Sequence, residues 1–201
     1  MSAPEEHPAA PHALESLEAP LEALRRHLVE HSVRTGDFVL KSGRRSGWFV
    51  DAKQTLCRPG GMIAAAEAVL AAVPAEATAI GGLTMGADPV AFVAAGVAAS
   101  RGRALKAFSV RKEAKDHGGG GRIAGALDPG DMVVVTEDAT TRGTSLLEAV
   151  RVVRDAGAEV LLALAIVDRG GSAGSLLERE GVAFRALLGA PDLGFDYDEA
   201  S

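Results

Sequence analysis

Residues 133–145 read Val133-Val-Val-Thr-Glu137-Asp138-Ala-Thr-Thr141-Arg142-Gly143-Thr144-Ser145, and this stretch is the most informative about the fold. The β-branched apolar run at its start predicts a buried strand, and the Thr, Gly and Ser residues after the acids predict a turn. Apolar residues then recur at helical spacing, at positions 146, 147, 150 and 153. A buried strand that leads through a short loop into a helix is the unit from which α/β domains are built.

The loop at residues 139–145 has the composition of a phosphate site. It brings backbone N–H groups and hydroxyls to a helix N-terminus, where the helix dipole stabilises an anion. Glu137 and Asp138 precede it at the carboxyl end of a strand, where open α/β sheets bind ligands. Carboxylates accept hydrogen bonds from ribose hydroxyls or bind Mg²⁺. The alternative is that Thr and Ser only cap the helix, but the paired acids favour a ligand with both sugar and phosphate.

The rest of the chain predicts an alternation of strands and helices. Strands are predicted at 38–40, 48–51, 77–82, 104–110, 132–137, 160–167 and 182–188, and helices at 13–32, 60–73, 87–100, 144–156 and 173–180. This order predicts an α/β fold with a mostly parallel central sheet flanked by helices. We expect a disordered tail at 1–12 and one domain at 13–195. Within it, a small hood covers about 13–58 and the core covers 59–195.

Composition narrows the class of protein. The 201 residues are 47% hydrophobic and carry a net charge of −6, which suits one domain and argues against nucleic-acid binding. No apolar run is long enough to cross a membrane, and the N-terminal residues lack the pattern of a signal peptide. The single cysteine, Cys57, excludes an internal disulfide. We therefore predict a cytoplasmic protein that binds neither nucleic acid nor membrane.

A second informative stretch is Arg111-Lys112-Glu113-Ala114-Lys115-Asp116-His117-Gly118, which three more glycines follow. It comes after a predicted strand, contains many cationic groups and has little to bury. A glycine-rich basic loop near an anion site favours a lid that closes over a polyanion. His117 could transfer a proton near neutral pH. The alternative is a solvated surface loop.

Together these stretches resemble the orotate phosphoribosyltransferases, which are type I phosphoribosyltransferases. The sequence RKEAKDHG at 111–118 is similar to their catalytic loop, and FVLKSGR at 38–44 is similar to their N-terminal motif. GGLTMGA at 81–87 takes the place of their pyrophosphate loop, and Val167-Asp168-Arg169 matches their orotate-binding strand end. The resemblance covers roughly residues 25–190. It implies the type I phosphoribosyltransferase fold and transfer of a phosphoribosyl group from phosphoribosyl pyrophosphate (PRPP) to orotate in pyrimidine (UMP) biosynthesis.

The resemblance also implies roles for individual residues. PRPP-binding residues would be Lys41, Thr84, Met85, Arg111, Lys112, Lys115, His117, Glu137, Asp138, Ala139, Thr140, Thr141, Arg142, Gly143, Thr144 and Ser145. Orotate-binding residues would be Lys41, Trp48, Phe49, Thr141 and Arg169, and catalytic residues would be Lys115, His117 and Asp138. Mg²⁺ would be held near Glu137 and Asp138, mainly through PRPP. The unit would be a homodimer in which loop 111–121 completes the neighbouring subunit's site.

Two positions depart from the family pattern. Met85 stands where the family often has lysine, so an anion could be bound there only by the backbone, and Glu137 replaces the commoner aspartate. Three other functions are compatible with parts of the sequence: a PRPP-sensing regulator without catalysis, a transferase for a purine base, and a generic nucleotide-binding protein. The acids, the loop lysine and histidine, and the N-terminal motif favour the orotate enzyme over all three.

Overall fold

The computed structural model describes residues 12–39, 45–114 and 121–198. The helices are α1 His12–His31, α2 Lys53–Leu56, α3 Pro59–Ala72, α4 Ala87–Ser100, α5 Thr144–Asp155 and α6 Ala173–Arg179. The strands are β1 Val33–Val39, β2 Arg45–Val50, β3 Ala79–Leu83, β4 Lys106–Val110, β5 Ile123–Gly125, β6 Met132–Thr140, β7 Glu159–Asp168 and β8 Phe184–Gly189. None of the helices in these ranges combines the length and apolar character needed to cross a membrane.

Six strands form the central sheet in the order β5-β4-β3-β6-β7-β8. All neighbouring strands are parallel except β5, which runs antiparallel to β4. The predicted α/β fold with a mostly parallel sheet is therefore confirmed. Strands β1 and β2 form a separate antiparallel pair, in the part of the chain predicted as the hood. Because β3, β4, β6 and β7 are parallel, the loops that follow them meet at one edge of the sheet.

The valine run of β6 has both faces covered. Val133 and Val135 pack in one apolar cluster with Leu146 of α5, while Val134 belongs to a second cluster with residues of α1, α3 and α4. Alternate side chains of a strand point to opposite faces, so a strand with helices on both sides is apolar throughout. Burial of one such side chain contributes about 1.5–3 kcal/mol. This packing fixes the position of the residues that follow Val135 at the carboxyl end of the strand.

The structure adds three short elements to the prediction. Helix α2, strand β5 and a 3₁₀-helix at Ala190–Leu193 have three or four residues each, too few to produce a periodic pattern. In addition, β6 does not end at Glu137 but continues to Thr140, which pairs with Asp168 of β7. The two acids are therefore fixed by the ladder of the sheet.

Candidate active site

A cleft of about 710 Å³ lies between the carboxyl ends of β6 and β7 and the β1–β2 pair. Residues 138–142, 144 and 145 form one wall, and Phe38, Val39, Phe49 and Val50 form the facing wall. Asp51, Lys53, Arg169 and Asp198 complete the lining. The cleft therefore joins a phosphate-type loop, a carboxylate, a guanidinium and apolar side chains.

Two buried acids lie at the end of β6. Glu137 and Asp138 are each 7% exposed, and only Asp138 lines the cleft. Asp138 accepts a hydrogen bond from the ammonium of Lys53 and another from the Ala139 N–H at 2.8 Å. Gly86, within the predicted pyrophosphate loop, packs so closely on the acids that a Cβ there would collide with the Glu137 carboxyl. The loop after β3 thus lies directly beside the acids.

Burial and nearby charges change the pKa values of Glu137 and Lys53. Burial raises the pKa of Glu137 to about 9, and the neighbouring charge of Asp138 acts in the same direction. Burial lowers the pKa of Lys53, but the hydrogen bond to Asp138 and the charges of nearby carboxylates together more than offset it, so that this pKa is raised. At neutral pH, Glu137 therefore keeps its proton and can donate a hydrogen bond, while Lys53 stays positively charged.

The loop at residues 139–145, predicted to bind phosphate, leads into the N-terminus of α5. Its N-cap residue is Gly143, with a left-handed φ of +81°, and the Gly143 N–H donates to Thr140 Oγ1 at 3.0 Å. No side chain of the described residues caps this helix, whose first residues, Thr144 and Ser145, line the cleft. The alternative in which Thr and Ser serve only as helix caps is not what the structure shows. The first-turn N–H groups remain available for an anion.

Arg169 lies directly after β7 and is 7% exposed. Its guanidinium carbon is 4.7 Å from the centre of the Trp48 ring and 5.7 Å from that of Phe49. Its Nη2 donates to Asp198 Oδ2 at 2.6 Å and to the Trp48 carbonyl at 3.3 Å. Burial lowers the pKa of this group against the raising effect of Asp198. The site thus contains a buried planar cation beside two aromatic rings, an environment suited to a planar anion.

The two aromatic residues predicted to contact orotate have different positions. Phe49 is 37% exposed and lines the cleft. Trp48 is 4% exposed, does not line the cleft, and stacks on Phe195 with ring centres 4.5 Å apart. Adjacent side chains of β2 point to opposite faces, so Trp48 lies behind the wall that Phe49 forms.

The residues predicted to bind pyrophosphate lie farther along the same edge. Thr84 Oγ1 donates to Asp88 Oδ2 at 2.6 Å, and Asp88 also accepts from Ser109 Oγ at 2.7 Å, so the first turn of α4 connects the loop after β3 to strand β4. Met85 is 67% exposed. Arg111 and Lys112 follow β4 and, like Thr84 and Met85, are not part of the cleft lining. The predicted site residues Lys41, Lys115 and His117 lie outside the described residues.

Sequence reasoning missed Lys53 and Asp198. Lys53 is 85 positions from Asp138, and Asp198 is 29 positions from Arg169, so no local motif announces either contact. The only available signal was chemical: each buried charge required a partner of opposite sign.

The chain is similar to proteins of known function over most of its length. No family model matches it. It is 36% identical to the orotate phosphoribosyltransferase of Synechocystis sp. over 87% of this chain and 91% of the relative. It is 38% identical to that of Aquifex aeolicus over 86% of this chain and 96% of the relative. The crystal structure of Mycobacterium tuberculosis orotate phosphoribosyltransferase with PRPP superposes with a TM-score of 0.68 at 34% identity, covering 88% of this chain and 98% of that one.

Proposed function

The chain belongs to the orotate phosphoribosyltransferase family, and from this premise we propose how its residues divide the work. The reaction transfers the phosphoribosyl group of PRPP to orotate, which gives orotidine 5′-monophosphate and pyrophosphate in pyrimidine biosynthesis. One observation carries the assignment: a single cleft contains the N-terminus of α5, the Asp138 carboxylate and the Arg169 guanidinium. These groups match a phosphate, a ribose and an anionic base in that order.

PRPP is assigned to the β6–α5 side of the cleft. The N–H groups and hydroxyls of residues 139–145 bind the 5-phosphate, because a helix N-terminus stabilises negative charge. Asp138 accepts a hydrogen bond from a ribose hydroxyl, and protonated Glu137 supports it from behind. Thr84 and Met85 contact the pyrophosphate through their backbone. Lys53 compensates the Asp138 charge, so that an anionic substrate does not meet an uncompensated carboxylate.

Orotate is assigned to the Arg169 side. Arg169 pairs with the planar anion, and Phe49 and Thr141 confine its ring in the cleft. Lys41 is added to this half on the strength of the family resemblance. Trp48 supports Arg169 from outside the cleft, through its ring face and its carbonyl. We therefore propose that Trp48 positions the arginine and does not touch the base.

The chemical step forms a bond between a ring nitrogen of orotate and C1 of the ribose, while the bond from C1 to the pyrophosphate oxygen breaks. Positive charge develops on the sugar and negative charge on the leaving group. Fixed cations stabilise the leaving group, often by several kcal/mol. We assign this role to Lys115 with Arg111 and Lys112, and we assign to His117 a hydrogen bond or proton for the pyrophosphate. Asp138 holds the ribose in place as C1 changes partner.

Mg²⁺ fits this donor set as a companion of PRPP. The acids supply the oxygen ligands that Mg²⁺ prefers, and this ion is usually held by one or two carboxylates together with substrate phosphates. Asp138 is already paired with Lys53, and Glu137 is protonated at neutral pH, so both suit an indirect role. When bound, the ion neutralises charge on the pyrophosphate. We also propose a homodimer, with loop 111–121 reaching the neighbouring subunit's cleft, and a cytoplasmic location.

A charge placed in the phosphate loop tests the PRPP half. Ser145→Asp puts a carboxylate in the first turn of α5, where it stabilises the helix by about 0.3–1 kcal/mol but repels the 5-phosphate. We expect the melting temperature to be kept and the KM for PRPP to rise about tenfold or more, a loss of about 1.4 kcal/mol. Steady-state kinetics with each substrate varied would measure both constants.

The matched control is Ser145→Asn, because asparagine has nearly the shape of aspartate but carries no charge. It should leave the KM for PRPP close to the parent value. An unchanged KM for PRPP in the aspartate variant would show that the 5-phosphate does not bind at this loop.

A further inference from the structure

The segment after the 3₁₀-helix at Ala190–Leu193 returns to the orotate side of the cleft. Phe195 stacks on Trp48 with the rings 4° from parallel, and Tyr197 covers Gly171 and Gly189. The Asp198 N–H then donates to the Arg169 carbonyl at 2.7 Å. These contacts bring residues 195–198 against the arginine that we assign to orotate.

Asp198 connects the two walls of this region. Its Oδ2 accepts from Arg169 Nη2 at 2.6 Å, and its Oδ1 accepts from Ser46 Oγ of β2 at 3.0 Å. Its side chain is 13% exposed, and Asp198 itself lines the cleft. Among the described residues, it is the only carboxylate that forms an ion pair with Arg169. A carboxylate of the chain thus stands where a carboxylate of the substrate would be attracted.

The pairing leaves part of the guanidinium unused. Arg169 Nη2 serves both Asp198 and the Trp48 carbonyl, whereas the buried Nε has no hydrogen-bond partner among the described residues. A guanidinium binds most strongly through two parallel N–H groups to two oxygens of one anion. The contact with Asp198 uses one oxygen and one nitrogen. A planar anion that engages two donors would therefore be the better partner.

We propose that Asp198 is an internal competitor of orotate, a carboxylate that neutralises Arg169 in the empty cleft and that orotate must displace to bind. This inference rests on the assignment of Arg169 to orotate under the proposed function. Orotate is an anion and gains less from a neutral arginine–aspartate pair than from a lone guanidinium. Asp198 therefore sets the affinity for orotate without entering the bond-forming step.

Residues 195–198 pack against a natural fluorescent reporter. Trp48 is the one tryptophan of the chain, and it is stacked between Phe195 and the Arg169 guanidinium. Orotate that displaces residues 195–198 must change the surroundings of this ring. Titration of the full-length protein with orotate, followed by Trp48 fluorescence, therefore measures affinity and displacement together.

The test compares Asp198→Asn with Asp196→Asn. Asp196 belongs to the same segment, is exposed, and forms no ion pair with a described residue, so its variant makes the same charge change without touching Arg169. We expect Asp198→Asn to bind orotate about tenfold more tightly and Asp196→Asn to bind like the parent, with PRPP affinity equal in all three. A chain ended after Phe195 should also bind orotate more tightly, which covers the case in which Asp198→Asn folds poorly. Equal or weaker orotate binding in both Asp198→Asn and the shortened chain would overturn the competition.

Arg169→Lys separates this result from a failure of the proposed function. If the lysine variant binds orotate as well as the parent does, then the assignment of Arg169 is wrong and the competition falls with it. If the lysine variant loses orotate affinity while Asp198→Asn gains none, then Arg169 binds orotate and only the competition is overturned.

Discussion

Glu137 and Asp138 are adjacent in sequence, yet the fold gives them different surroundings. Asp138 faces the cleft and Lys53, whereas Glu137 lies behind it against Gly86. The sequence predicted an acid pair at a strand end, because β-branched runs, acids and turn residues are local signals. It could not predict which acid would be desolvated, since this depends on Gly86 and Lys53, which distant parts of the chain bring to the site.

The raised pKa of Glu137 predicts how stability depends on pH. The folded chain keeps this proton up to about pH 9, whereas an unfolded glutamate releases it near 4.5. Between these values the folded state binds more protons, so the free energy of unfolding falls as pH rises, by at most about 1.4 kcal/mol per pH unit. Glu137→Gln removes this contribution. Urea unfolding at pH 5.5 and 8.5 should show that the variant gains stability relative to the parent at the higher pH.

The same experiment can also contradict the raised pKa of Glu137. If the parent and Glu137→Gln lose or gain stability in parallel between the two pH values, then Glu137 is ionised in the folded protein and the division of roles between the acids fails.

Among the helices and strands, most of the longer elements followed from the sequence, but β1 begins five residues before its predicted strand and the shortest elements were missed. Helix α4 was predicted at 87–100 and is found at Ala87–Ser100, because fourteen residues of one pattern leave little freedom. Strand β5 pairs with β4 through only three residues, and nothing local separates such a strand from a loop. The strand alternation that places Trp48 and Phe49 on opposite faces was available in the sequence, but the resemblance assigned both residues to orotate.

Gly143 makes a second prediction, at the junction of β6 and α5. Its φ of +81° is costly for other residues, and a Cβ there would lie 3.1 Å from the Cβ of Ala173. Gly143→Ala should therefore lose about 1–2 kcal/mol of stability and raise the KM for PRPP, because the loop must shift to relieve the strain. Thermal unfolding and steady-state kinetics measure the two effects.

Gly130→Ala is the matched control for this change. Gly130 has a φ of +85°, nothing would lie within 4 Å of an added Cβ, and it is not part of the cleft lining. It should lose stability without losing PRPP affinity. Equal kinetics in the two variants would mean that the conformation of Gly143 is irrelevant to phosphate binding.

For the whole molecule, we propose that two substrates bind in one cleft between the central sheet and the β1–β2 pair, and that a second chain supplies loop 111–121. The loop lysine and Asp138 would then serve one site from different subunits. Mixing Lys115→Ala chains with Asp138→Asn chains, each inactive alone, should restore part of the activity, because a hybrid dimer contains one site with both residues intact. Refolded mixtures assayed over a range of ratios would measure the recovery, and no recovery despite confirmed hybrids would refute the shared site.

The most direct test of the account is turnover with alternative bases. Purified protein would be given PRPP, Mg²⁺ and either orotate, uracil or hypoxanthine, and the absorbance of each base would be followed. The account predicts PRPP-dependent loss of the orotate signal alone, abolished by Lys115→Ala. Transfer to hypoxanthine or uracil instead of orotate, or PRPP binding without turnover of any base, would contradict it.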